Sequence, residues 1–192
     1  MAATVANGMR DDPRCGMDVG LLARPRPALR DRLDGAVYDG VRRWGFAHLA
    51  GVLAAGQRAG LIDEARAAGG RFLALPERVN GIDQCADQLT LRAGDAHHPW
   101  VNELCRAVVD GVAGWPAASG AAAFRPTEAR YMRYTGGRVG LGPHVDGKFY
   151  RMLVFVFSLA GSAEFRLAAD GSGPAADLVV RPGDLLVMRA PG

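Results

Sequence analysis

Gly142-Pro143-His144-Val145-Asp146 is the stretch that decides how the chain is read. Side chains of an extended segment alternate between faces, so His144 and Asp146 point the same way. An imidazole and a carboxylate on one face are two-thirds of the facial triad that holds non-haem Fe(II). The flanks are short β-rich runs separated by Gly, Pro and Asp. Glu128–Tyr134 reads as a strand closed by Thr135-Gly136-Gly137, and Met152–Ala160 is an unbroken apolar run. Ala163–Leu167 follows, and Leu178–Met188 is split by Arg181-Pro182-Gly183-Asp184. Such a succession predicts an antiparallel barrel or sandwich.

Taken in order, Tyr134 with its following glycines, His144-x-Asp146, the Ser158-Leu159 strand end and Pro182-Gly183-Asp184-Leu185 resemble the 2-oxoglutarate/Fe(II)-dependent dioxygenase superfamily. The last third of the chain carries the resemblance best. Trp44-Gly45-Phe46, Leu49–Leu53 and Phe72–Pro76 extend it, looking like the family's N-terminal strand and helices. The fold it implies is mainly β with α, a double-stranded β-helix (jelly-roll) core with N-terminal helices. The cofactors it implies are Fe(II), held by His144 and Asp146, and 2-oxoglutarate as cosubstrate, with Tyr134 reaching the 2-oxoglutarate carboxylate. Met132 stands where the family's strand has Asn, and a plain barrel-lining aromatic is the alternative for Tyr134.

The family completes its site with a second His and an Arg on late strands. No His follows Asp146, and the sequence reaches Arg189-Ala190-Pro191-Gly192 where those residues would be approached. The resemblance therefore implies a C-terminally incomplete core, without its last two strands. Self-association through open sheet edges beside Leu185–Met188 or its neighbours is the corresponding expectation.

The remaining sequence sets the boundaries. A chain of 192 residues suits one domain, and 49% hydrophobic with 22% charged residues is globular rather than disordered material. The net charge is only +3, Lys148 is the sole lysine, and there is no basic stripe, which argues against a nucleic-acid partner. Cys15, Cys85 and Cys105 are odd in number and outside metal spacing, as expected of a reduced, cytoplasmic compartment. No apolar h-region occurs in Met1–Gly20, and Met152–Ala160 is far shorter than the ~20 residues of a membrane span.

Residues 1–27 read as a flexible leader and 28–192 as the dioxygenase-like domain. Within it, 28–123 give helical support and 124–192 the partial jelly-roll core. Leu29, Leu33, Val37 and Val41 predict a helix from Ala28; a second runs from Ala54 toward Gly69. Ile82–Leu91 reads as a loop and strand. Trp100–Val112 carries an apolar stripe of Val101, Leu104, Cys105, Val108, Val109 and Val112.

Three other histidines compete for the third ligand position. His48 reads as a core or half-buried strand residue with a satisfied ring nitrogen. His97 and His98 read as an exposed loop pair before Pro99, and nothing brings any of the three to the barrel mouth. Lys148 and Arg151 could meet an anion but suit a solvated loop. A cupin would need His-x-His with a nearby Glu, which the sequence lacks. Two functions stay open: an Fe(II)/2-oxoglutarate oxygenase hydroxylating a small molecule, in truncated form, or a non-catalytic jelly-roll remnant or fragment acting as a binding or interaction domain.

Overall fold

The computed structural model describes the backbone of residues 2–6 and residues 28–79, 82–92, 94–134, 140–142, 144, 152–167 and 176–190. Two helices open the domain, α1 (Leu29–Arg32) and α2 (Gly35–Trp44). One helix was expected here. It breaks because the Asp34 carboxylate accepts from Ala36 N and Val37 N at 3.0 and 3.2 Å, capping a new helix start. The spacing nevertheless delivers its stripe: Leu29, Leu33, Val37 and Val41 are all buried. Strand β2 (Phe46–Leu49) follows, then α3 (Ala55–Ala67) and later α4 (Pro99–Val112), which starts on Pro99 and buries Val101, Leu104, Cys105, Val108 and Val112.

The β elements are β1 (Ala2–Ala6), β3 (Leu73–Ala74), β4 (Arg78–Val79), β5 (Ile82–Asp83), β6 (Ala86–Arg92), β7 (Glu128–Tyr134), β8 (Leu153–Ala160), β9 (Ala163–Leu167), β10 (Ala176–Val180) and β11 (Leu185–Arg189). Six of them join β2 in one seven-stranded sheet, in the order β2-β11-β8-β1-β7-β6-β3, while β9 and β10 form a separate antiparallel pair. Both faces of the large sheet are covered. Phe155, Phe157, Leu159, Leu185, Val187 and Tyr131 pack with the helices. On the opposite face Val154, Val156 and Leu186 pack with Phe165, Leu167 and Leu178 of the small sheet, and this second cluster is the interior of a jelly-roll.

One expectation needs correction. Residues 2–6, assigned to a flexible leader, lie in the sheet between β7 and β8 and parallel to both. β7 and β8 therefore run parallel to each other and each offers a ladder edge, which a short segment can fill without apolar alternation of its own. Residues 7–27 lie outside the described residues. β11 itself is paired on both sides, by β8 and by β2, and the sheet ends at its neighbour β2.

The turn before β11 shows how the sequence pins the sheet. Gly183 has φ +96°, and a Cβ there would stand 3.0 Å from Leu53 O, so both the turn and the close approach require glycine. Asp184, buried, accepts from Gly51 N and Arg181 N at 2.8 Å each and from the His48 ring at 3.1 Å. Burial pushes the Asp184 carboxyl up, but these donors outweigh it and hold the carboxyl below its ordinary value.

Candidate functional site

One end of the large sheet gathers the expected site residues that are described. β6 and β7 pair antiparallel with Ala86 opposite Tyr134. The chain just before Ala86 then meets the segment leading to His144. Gly142 N donates to Asp83 O at 2.8 Å, Cys85 N donates to Gly140 O at 3.1 Å, and Gln84 bridges to Leu141. The approach at Gly142 is close: a Cβ there would lie 3.3 Å from Asp83 O, which the facing backbone would have to yield to by a few tenths of an ångström. Tyr134 and the 140–144 segment are thus brought to the same end of the sheet through residues 83–86.

Tyr134 shares the interior face with Met132, Arg130 and Glu128, because Ala2 of β1 is level with both Arg130 and the interior residue Val156. Burial pushes its phenol pKa up, so Tyr134 stays a neutral hydroxyl donor at physiological pH. His144 is exposed, and its Nδ1 lies 2.9 Å from Gly142 O. A carbonyl can only accept, so Nδ1 carries a proton, and in the neutral ring the lone pair is then on Nε2. That tautomer fits a metal ligand, whose second ring nitrogen ordinarily donates to a carbonyl or carboxylate. Asp146, Lys148 and Arg151 lie outside the described residues. Among the described residues, no group of three or more His, Cys, Asp or Glu is placed to hold a metal.

The other histidines stand elsewhere. His48 is half-buried on β2 with Nε2 on Asp184, as its reading required. Four strand spacings separate β2 from β7, roughly 19 Å. His97 is exposed, but His98 is 2% exposed, which corrects the expectation for that residue. Its ring lies in the junction of α3, α4 and β7, with Nδ1 3.4 Å from Glu64 Oε1 and Nε2 3.4 Å from Arg71. Glu64 is the centre of that junction. It accepts from Tyr131 Oη at 2.8 Å and from Trp100 N at 2.9 Å. Burial and the Glu64 charge push the Tyr131 phenol well above its ordinary range. This network fixes β7, and hence the strand that carries Tyr134, against the helices.

Sequence reasoning missed the polar wall beside Tyr134. Gln88, Thr90 and Arg92 of β6 stand opposite Met132, Arg130 and Glu128 of β7 on the interior face, and Arg130 Nε donates to Glu128. The signal was present as polar residues at every second position of both strands. It is masked by the fact that an outward, solvated face has the same pattern.

No protein-family model and no curated protein sequence matches the chain. Solved structures do. A prolyl-4-hydroxylase from Pseudomonas putida superposes with a TM-score of 0.62 at 18% identity, covering 81% of this chain and 86% of that one. A prolyl hydroxylase from Trichoplax adhaerens, in complex with a hypoxia inducible factor oxygen degradation domain peptide fragment, gives 0.66 at 14% identity, covering 84% and 80%. The fold is that of the prolyl hydroxylases. At these identities the likeness concerns the fold. The chemistry has to be argued from Tyr134 and His144 themselves. Among the described residues, no helix is long and apolar enough to cross a membrane.

Proposed function

We propose that the protein is an Fe(II)- and 2-oxoglutarate-dependent oxygenase that hydroxylates a small molecule. The observation that carries this reading is the meeting of Tyr134 and the His144 segment at one end of a sheet with the prolyl-hydroxylase fold. His144 Nε2 and the Asp146 carboxylate would hold the metal, two of the three protein donors of a facial triad. When bound, Fe(II) with 2-oxoglutarate and O2 supplies the oxidising power to insert an oxygen atom into a C–H bond.

The chain's own residues have separate tasks. Gly142 O orients the His144 ring and fixes its tautomer. Tyr134, kept protonated by burial, donates to a cosubstrate carboxylate. Val154, Val156 and Leu186 keep the adjacent interior dry, and the polar wall of β6 and β7 offers donors and acceptors to a substrate. The prolyl residue named for the two neighbours is the competing substrate class. The small-molecule reading rests on the low charge and the absence of a basic stripe.

Chelation of the metal by 2-oxoglutarate makes the two affinities reciprocal. An anaerobic titration with Mn(II), a redox-stable surrogate for Fe(II), should show tighter metal binding in the presence of 2-oxoglutarate. Equal Mn(II) affinity with and without 2-oxoglutarate would overturn the proposal. Mass spectrometry for one added oxygen atom in a metabolite pool, against a prolyl peptide, separates the two substrate classes.

A further inference from the structure

A cavity lies on the far side of the large sheet from Tyr134. It is a cleft of about 310 Å³ between α2, the turns around 115–121 and the β8–β11 pair, walled by Tyr38, Trp115, Met152 and Leu153 with Arg42 and Arg189. Arg189 stands opposite Leu153 in the ladder. Both side chains share parity with the helix-packed residues Phe155 and Val187, so the sheet itself separates this cleft from the interior face. Along the strands the two sites are also far apart. Tyr134 is level with the end of β8 and Leu153 with its start, a separation of roughly 25 Å at ~3.3 Å per residue.

We propose that this cleft is a binding site for a small amphipathic carboxylate, an apolar or aryl body carrying one anionic group. The volume is at the lower end of small-ligand sites, about 300–1,000 Å³. The walls are pre-formed. Trp115 Nε1 donates to Leu33 O at 2.8 Å, Tyr38 packs on the Trp115 ring at 5.5 Å, and Ala190 N donates to Met152 O at 2.9 Å. A ligand therefore pays little for ordering them. The polar groups are of one sign. Arg42 has only an exposed partner, Asp39 at 3.8 Å, a pair of the kind worth about 0–1 kcal/mol. Arg189 has no ion-pair partner among the described residues. Two guanidiniums beside an aromatic and aliphatic wall select a carboxylate over a neutral or cationic ligand through charge-assisted hydrogen bonds, and the aromatic pair favours a flat body.

Phenylpropionate is a suitable probe, with phenylpropionamide as its neutral isostere. Binding is read by Trp115 fluorescence and by the methyl resonance of Met152. The carboxylate should bind saturably, the amide at least tenfold more weakly, and Arg42→Gln and Arg189→Gln should each weaken the carboxylate about tenfold. Both arginines are exposed, and unchanged thermal unfolding of the variants confirms that the fold is kept. The Mn(II)/2-oxoglutarate coupling should be the same in these variants as in the wild type, so this site and the metal site fail or stand independently. No saturable binding, equal binding of acid and amide, or affinity that survives both Arg→Gln changes would overturn the proposal. So would loss of phenylpropionate binding in His144→Ala, which would place the probe at the other site.

Discussion

The interior face of the large sheet is built differently on its two sides. Around β8 and β11 it presents Val154, Val156 and Leu186, all buried and covered by Phe165, Leu167 and Leu178 of the small sheet. Around β6 and β7 the same face presents Gln88, Thr90, Arg92, Glu128 and Arg130, all half-buried or exposed, and ends at Tyr134. One side is a core that removes apolar surface from water. The other is a wall of donors, acceptors and charges, with little burial to contribute to stability. The difference separates what holds the barrel together from what it can bind.

The comparison predicts a graded set of stability effects. Leu186→Ala, on the apolar side at 0% exposure, should cost about 2–5 kcal/mol in urea unfolding, because the cavity is enclosed by two sheets. A loss below about 1 kcal/mol would mean the small sheet is not packed on it. Tyr131→Phe should cost about 1–3 kcal/mol, since the Glu64 carboxylate keeps Trp100 N but loses its phenol donor in a buried site.

Asp184 gives the pH dependence. Its folded pKa is depressed, so its contribution is fully present above the ordinary aspartate value of 3.8 and is lost as pH falls through the folded value. The wild type should therefore lose stability below that pH more steeply than Asp184→Asn, measured by urea midpoints along a pH series. Parallel pH profiles would show that the Gly51, Arg181 and His48 contacts do not act on the carboxylate. On the polar side, Thr90→Val and Tyr134→Phe should each change stability by less than about 1 kcal/mol. Tyr134→Phe alone should weaken the enhancement of Mn(II) binding by 2-oxoglutarate.

Much of this was legible because apolar periodicity reports burial directly. The stripe of α4, the buried quartet Leu29, Leu33, Val37 and Val41, and the strands from Glu128 to Met188 stand where their spacing places them. Asp34 was less visible as a helix breaker, since its role depends on two amide donors that exist only once the chain turns there. His98 was misread because sequence gives the local polarity of a loop but not the carboxylate, Glu64, that a distant helix brings beneath it. The pairing of residues 2–6 is likewise a property of two distant strand edges. At the site, the expectation that His144 and Asp146 share one face rests on spacing alone, and Asp146 lies outside the described residues. The antiparallel contact of 83–85 with 140–142, which carries His144 to Tyr134, is a long-range pairing that no local pattern encodes.

The most direct test of the proposed metal site is the Mn(II)/2-oxoglutarate coupling measured in His144→Ala against the wild type, by anaerobic calorimetry. His144 is exposed, so the substitution should leave unfolding unchanged. The account predicts Mn(II) binding at least tenfold weaker in the variant, with the enhancement by 2-oxoglutarate abolished. Mn(II) affinity and enhancement equal to those of the wild type would contradict it.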